Sequence, residues 1–188
     1  MDKNRLPKTS RPKRYEIKLD IDLNNFSYEG VENIELEVLE NTNSIFLNSL
    51  GIEVTSASLE VDKKEVNILS VEYLEDEERI CLSSENEIVK GSYILHIKFK
   101  SDITDDLKGF YKSKYLTKEN EEKWIATTQF EPTSARNAFP CWDEPEYKAV
   151  FSITIIADKK LLRISNEKVL EEKETKDNKV ETTFVDSM

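Results

Sequence analysis

A single histidine, His96, stands in these 188 residues. A zinc hydrolase site ordinarily draws several histidines, or histidine with carboxylates, from close spacing. This chain cannot build the usual site alone, and no metal ligand or catalytic residue is assigned within it. Cysteine is nearly as scarce: Cys81 and Cys141 lie in unrelated contexts, which favours two free thiols in a reducing compartment over one long-range disulfide. No apolar run approaches the roughly 20 residues that cross a bilayer. The charged N-terminus has no apolar stretch of the secretory kind. The expectation is a soluble, cytoplasmic chain with no membrane partner. Basic charge is short as well. The 27 Lys+Arg face 38 Asp+Glu, for a net charge of −11 and a pI near 4.8. Nucleic acid and anionic membranes need a basic footprint, so neither is expected as a main partner. Basic residues do gather at the start (Lys3, Arg5, Lys8, Arg11, Lys13, Arg14), but Asp2 and turn-formers interrupt them. Residues 1–14 therefore read as a solvated extension.

Alternation dominates what is present. Tyr15, Ile17, Leu19, Ile21 and Leu23 alternate with Glu16, Lys18, Asp20 and Asp22, the pattern of a half-buried strand. Ile34, Leu36 and Val38 repeat it, as do Tyr93, Leu95, Ile97 and Phe99, then Phe151, Ile153 and Ile155, and Val180, Thr182 and Phe184. Shorter candidates cover 45–47, 54–61, 66–71 and 79–82. Turn signals recur between them, at Asn24-Asn25, Gly30, 41–43, Asp62-Lys63, 83–86, Gly91 and 118–122. No stretch shows a sustained 3.6 period, and no repeat or linker divides the chain. Many short strands predict one all-β domain, an antiparallel saddle-like β-sandwich with few short helical turns. His96 falls on the polar face of its strand, as a surface histidine. The acidic run 75–78 reads as a solvated turn in preference to a divalent-cation patch.

Residues 109–151 carry the chemistry. Pro132 crowds Glu131 into an extended conformation, which puts Gln129 and Glu131 on one face and turns Phe130 toward the sheet. An amide beside a carboxylate, anchored by an aromatic, can receive an ammonium group, from a lysine or from a peptide's free α-amine. From the residues alone, a polar edge strand whose Glu131 pairs with a neighbouring Lys or Arg is favoured. The next loop is bracketed by Pro140 and Pro145 and contains Trp142, which suggests a rigid, packed segment. Arg136 can fork onto Asp143 or Glu144 and fix its shape. All six are assigned structural roles.

Taken together, Thr128-Gln129-Phe130-Glu131-Pro132-Thr133, Ala135-Arg136, Ala138-Phe139-Pro140-Cys141, Asp143-Glu144-Pro145 and Lys148-Ala149 resemble the signature of the N-terminal domain of the aminopeptidase N family. These are the zinc gluzincin aminopeptidases, the puromycin-sensitive and endoplasmic-reticulum enzymes among them. Arg5-Leu6-Pro7 with Pro12 and Tyr15, a Phe-x-Gly-like turn at 26–30, Gly109-Phe110-Tyr111 and Ser165-Asn166 extend the likeness over most of the chain. The resemblance implies a β-rich domain, here 15–188, that lies over a zinc catalytic domain. It implies that Glu131 holds the substrate's α-amine and that Gln129 lines the first side-chain pocket. It also implies Zn2+ in the full enzyme, with its ligands outside this chain, and as partners a peptide N-terminus and the missing catalytic domain. The departures are plain. The family's GxMEN and HExxH segments are not among these residues, so the chain alone is expected to be inactive. Lys112, Ser134, Asn137 and Asn166-Glu167-Lys168 differ from the usual residues. A free-standing β module that binds a partner without chemistry, or a truncated paralogue that regulates the full enzyme, stand as alternatives.

Overall fold

The computed structural model describes residues 5–175 and 177–188, and for 65–68 the backbone alone; Asp2 and Lys3 lie outside these. Among the described residues the alternating segments become β1 (Ser10–Asp22), β2 (Ser27–Val38), β3 (Thr42–Asn48), β4 (Glu53–Val61), β5 (Lys64–Ile68), β6 (Ser70–Leu74) and β7 (Arg79–Ile88). They continue as β8 (Gly91–Asp102), β9 (Gly109–Leu116), β10 (Glu122–Gln129), β11 (Val150–Asp158), β12 (Val169–Glu174) and β13 (Lys179–Phe184). Two 3-10 turns, Glu75–Glu77 and Ala135–Asn137, are the only helical pieces described. One sheet runs β12-β13-β11-β1-β2-β8-β4-β5, a second β3-β7-β6, and β9 pairs with β10 alone. The all-β expectation stands. One pairing departs from antiparallel: β1 runs parallel to β11, from Arg14 beside Val150 to Asp20 beside Ile156.

The period-two pattern places Tyr15, Ile17, Ile34, Leu36, Leu95, Ile97 and Leu59 on one buried face of the large sheet. Ile45, Leu47, Ile80 and Leu82 of the smaller sheet join the same core. The opposite face is polar. There His96 sits half-buried, with Nδ1 2.7 Å from Asn33 Oδ1 and Nε2 3.1 Å from Glu60 Oε2. No described helix is long and apolar enough to cross a membrane.

The start of the chain corrects one expectation. Residues 10–14 belong to β1 and are not a solvated extension, because the basic side chains alternate with Ser10 and Pro12, which are buried. The cations lie along the outer side and each meets an acid: Arg11 and Lys13 reach Glu37 at 2.7 and 3.5 Å, and Arg14 reaches Asp186 at 2.6 Å. The register shifts between Pro12 and Arg14, a bulge where a residue without an N–H is tolerated. Two turn readings also change. Residues 83–86 continue β7, and Gly30 lies inside β2.

Gly30 is there for space. It pairs with Leu19 on one side and Phe99 on the other, and a Cβ at this position would stand 2.1 Å from Phe99 Cζ. The ring is buried and has no room to retreat. Gly30→Ala is expected to cost about 1–3 kcal/mol through overpacking, read as a lower urea midpoint. Gly91→Ala is the control, since its Cβ would come no closer than 3.6 Å to the Tyr93 ring. Equal shifts in the two variants would overturn this account of Gly30.

Candidate functional site

The β9–β10 hairpin delivers the site. It rests on the turn before β2 through Phe26, whose ring meets Trp124 at 5.1 Å, with Lys112 Nζ 4.1 Å over the Phe26 face. At its base Gly109 pairs with Gln129. Gly109 has φ +64°, and a Cβ there would lie 2.4 Å from Asn137 Cβ, so only glycine lets the hairpin seat on the Ala135–Asn137 turn. Sequence reading assigned neither Gly109 nor Asn137 a part in this seating.

β10 ends at Gln129, which is exposed. Phe130 then turns into an aromatic nest, as expected: its ring lies 5.8 Å from Phe139, itself edge-on to Tyr15 and Phe151, which stack at 4.8 Å. Glu131 does not continue the strand. It opens a turn, joined to Pro132 by a cis peptide bond, and the turn closes where the Ser134 N–H donates to the Phe130 carbonyl at 2.7 Å. The Glu131 side chain is exposed. Among the described residues it makes no ion pair and no side-chain hydrogen bond, so the neighbouring Lys or Arg of the edge-strand reading is not found.

The loop beyond is held from several directions. Arg136 Nε donates to Asp143 Oδ2 at 2.9 Å and Nη2 to the Asp143 carbonyl at 3.3 Å. Its Nη1 reaches Glu78 Oε2 at 3.0 Å. Asp143 is therefore the fork partner, and Glu144 is not. Glu144 instead accepts the Leu6 N–H at 2.5 Å and Arg5 at 3.2 Å, and clamps the start of the chain. Trp142 is buried, its backbone N–H donating to the Tyr15 hydroxyl at 3.1 Å. Pro140 is buried and Pro145 exposed. Asn48, 95 residues before Asp143, exchanges backbone hydrogen bonds with Cys141 and accepts the Asp143 N–H at 3.1 Å. No local pattern could have pointed to Asn48 or Glu78, because both arrive from a distant sheet corner.

These supports are structural in their electrostatics too. Burial, and then Asp143, push the Cys141 thiol well above its ordinary pKa, so it is no nucleophile at neutral pH. Burial likewise raises the Tyr15 hydroxyl. Among the described residues no group of three or more His, Cys, Asp or Glu could hold a metal ion. Both ring nitrogens of His96 already face Asn33 and Glu60. The described residues form no site that fits a zinc ion, and no step here runs through one.

Together these features define a β domain that presents an uncommitted carboxylate on a rigid turn and offers no described metal centre of its own. The chain belongs to the peptidase M1 N-terminal domain family, whose model matches residues 11–188. It is similar to Aminopeptidase 2 of Candida albicans, 37% identical over 180 residues that cover 95% of this chain and 19% of that protein. Aminopeptidase M1 of Arabidopsis thaliana is 37% identical over 173 residues, 90% of this chain and 20% of that one. The puromycin-sensitive aminopeptidase of Caenorhabditis elegans is 34% identical over 176 residues, 93% of this chain and 19% of that one. The chain spans about a fifth of the length of these curated relatives.

Proposed function

We propose that this domain is part of a zinc aminopeptidase and anchors the free α-amine of the peptide being shortened. Glu131 holds the ammonium, and Gln129 lines the pocket for the first side chain. The observation that carries the reading is Glu131 itself, an exposed carboxylate without a described partner, on a turn tied down at one flank by Phe130 and at the other by Arg136. A carboxylate without a partner is open to an incoming cation, and the turn that carries it is already ordered before binding. A peptide entering mid-chain brings no ammonium and would leave the carboxylate unpaired, which gives selectivity for chain ends. This chain's share is binding and orientation. Zn2+, its ligands and the catalytic domain would come from outside residues 1–188. A cytoplasmic location belongs to the same proposal, and two buried cysteines that form no disulfide suit it.

The transcript provides one test. Read past the codon for Met188, it should continue in frame into GxMEN and HExxH. A stop codon there would overturn the enzyme reading and leave a stand-alone module that binds a partner. The purified 188-residue chain, with or without added Zn2+, is expected to release no amino acid from peptide substrates. Zinc-dependent release by the clean chain would contradict the division of labour.

A further inference from the structure

Of the three carboxylates at 143–146, Glu144 is the most buried, its side chain 7% exposed against 12% for Asp143 and 42% for Glu146. Its partners stand at the other end of the chain. Glu144 Oε1 accepts the Leu6 N–H at 2.5 Å, and the Leu6 side chain beside that bond is 3% exposed. Around it lie outer ion pairs: Arg5 reaches Glu144 at 3.2 Å and Glu146 at 3.6 Å, and Lys8 reaches Glu146 at 2.9 Å. Then the Thr9 carbonyl accepts the Leu39 N–H at 2.7 Å, where β1 begins. Residues 5–9 are therefore a strap, pinned to the loop at one end and to the end of β2 at the other. The outer pairs involve exposed cations and contribute little each. The inner bond is of another kind, a backbone N–H given to a carboxylate under the cover of an aliphatic side chain.

The ties continue from Glu144 toward Glu131. Its neighbour Asp143 accepts, through Oδ2 alone, both the Arg136 Nε at 2.9 Å and the Arg136 backbone N–H at 3.3 Å. Arg136 stands in the Ala135–Asn137 turn, which directly follows Ser134, and the Ser134 N–H closes the Glu131 turn on the Phe130 carbonyl at 2.7 Å. The Glu131 side chain has no described partner of its own, so where its carboxylate stands is set by the backbone of this turn. We infer that the strap of residues 5–9, acting through Glu144, is a positioning element of the amine site: it fixes the place of the Glu131 carboxylate and so sets how sharply a free α-amine is told from its absence. The inference rests on the reading that Glu131 holds that amine. Glu144 touches no substrate and is a positioning residue. Trimming the start of the chain would then weaken selectivity without altering the hairpin that carries Gln129.

Variants of a full-length enzyme that carries this domain test the inference, and the readout is the ratio of kcat/KM for a peptide with a free α-amine to that for its desamino analogue. Glu144→Gln keeps an oxygen for the Leu6 N–H and loses only the exposed Arg5 pair, so the ratio is expected to stay within about twofold of the parent. Glu144→Ala removes the bond and is expected to lose about 3- to 30-fold of the ratio. Leu6→Ala trims the side chain that seats the strap, leaves the loop's own residues in place, and is expected to move the ratio in the same direction. A Glu144 that only supports the fold would lower the amount of active enzyme, which scales both peptides alike and leaves the ratio where it was. An unchanged ratio in both Glu144→Ala and Leu6→Ala overturns the inference, and so does an equal loss in Glu144→Gln and Glu144→Ala. Glu131→Ala in the same enzyme separates the two claims. An undiminished ratio there overturns the amine reading and the inference with it, whereas a loss there with none in Glu144→Ala and Leu6→Ala removes the role of the strap alone.

Discussion

Glu131→Ala, placed in a full-length enzyme that carries this domain, is expected to lower kcat/KM on peptides with a free N-terminus by about 10- to 150-fold while leaving Tm within about 1 °C of the parent. The size comes from the bond that is lost. A hydrogen bond to a charged group contributes about 1.5–3 kcal/mol, and each 1.4 kcal/mol is tenfold in rate. The unchanged Tm follows from the geometry, since the Glu131 side chain is exposed and has no described partner whose loss the fold would feel. Glu131→Gln keeps the shape and removes the charge, so it should fall between parent and Ala. The split between KM and kcat tells where the bond acts. A rise in KM alone means that ground state and transition state are held equally. A fall in kcat means that the anchor tightens as the reaction proceeds. A large drop in Tm would instead make Glu131 a structural residue.

The second large effect concerns Glu32. It points from β2 into the core between Ile17 of β1 and Ile97 of β8. It is 0% exposed, and neither carboxylate oxygen has a hydrogen-bond partner among the described residues. Its titratable neighbours, Tyr15, Tyr28 and Cys141, supply no cation at neutral pH. Burial alone therefore pushes its pKa well above the carboxylate range, and the group folds in its protonated form. In the unfolded chain the same carboxyl titrates near 4.3. Between that value and the raised folded one, the native state holds a proton that the unfolded state has released. Stability is fully present below the unfolded value and is lost as pH rises through the folded one, with a slope on the order of 1 kcal/mol per pH unit. Glu32→Leu removes the titrating group. It should unfold at a urea concentration nearly independent of this group's pH window, and at pH 8 it should be more stable than the parent by about 1–4 kcal/mol. Parallel urea midpoints for the two proteins from pH 5 to pH 8.5 would show that Glu32 is not buried as described.

Strands with one wet face were legible, because burial on one side writes a period of two into the letters. That is why β1, β2, β8, β11 and β13 were found from their apolar residues. β12 was not, since every residue from Val169 to Glu174 is exposed and no alternation results. The basic start misled for a related reason: Arg11, Lys13 and Arg14 read as solvated, and the burial of Leu6, Ser10 and Pro12 between and before them leaves no strong apolar signal. Gly30 carries the same letter whether it makes a turn or makes room for a ring. At the site, Phe130 as the anchor and Arg136 with Asp143 as the loop's brace could be read from spacing and charge. The tertiary partners could not. Asn48 comes from β3 and Glu78 from the turn before β7, and Glu144, read as a rival for Arg136, is claimed by Leu6 from the other end of the chain. Glu131 as the opening of a turn was hidden as well, because strand β10 gives no mark of stopping at Gln129.

A double-difference measurement isolates the proposed pairing of Glu131 with a substrate ammonium. A peptide with a free α-amine and its desamino analogue are compared on the parent enzyme and on Glu131→Ala. The predicted result is that the parent prefers the amine by a large factor and the variant loses about 10- to 150-fold of that preference. An undiminished preference in Glu131→Ala would contradict the assignment.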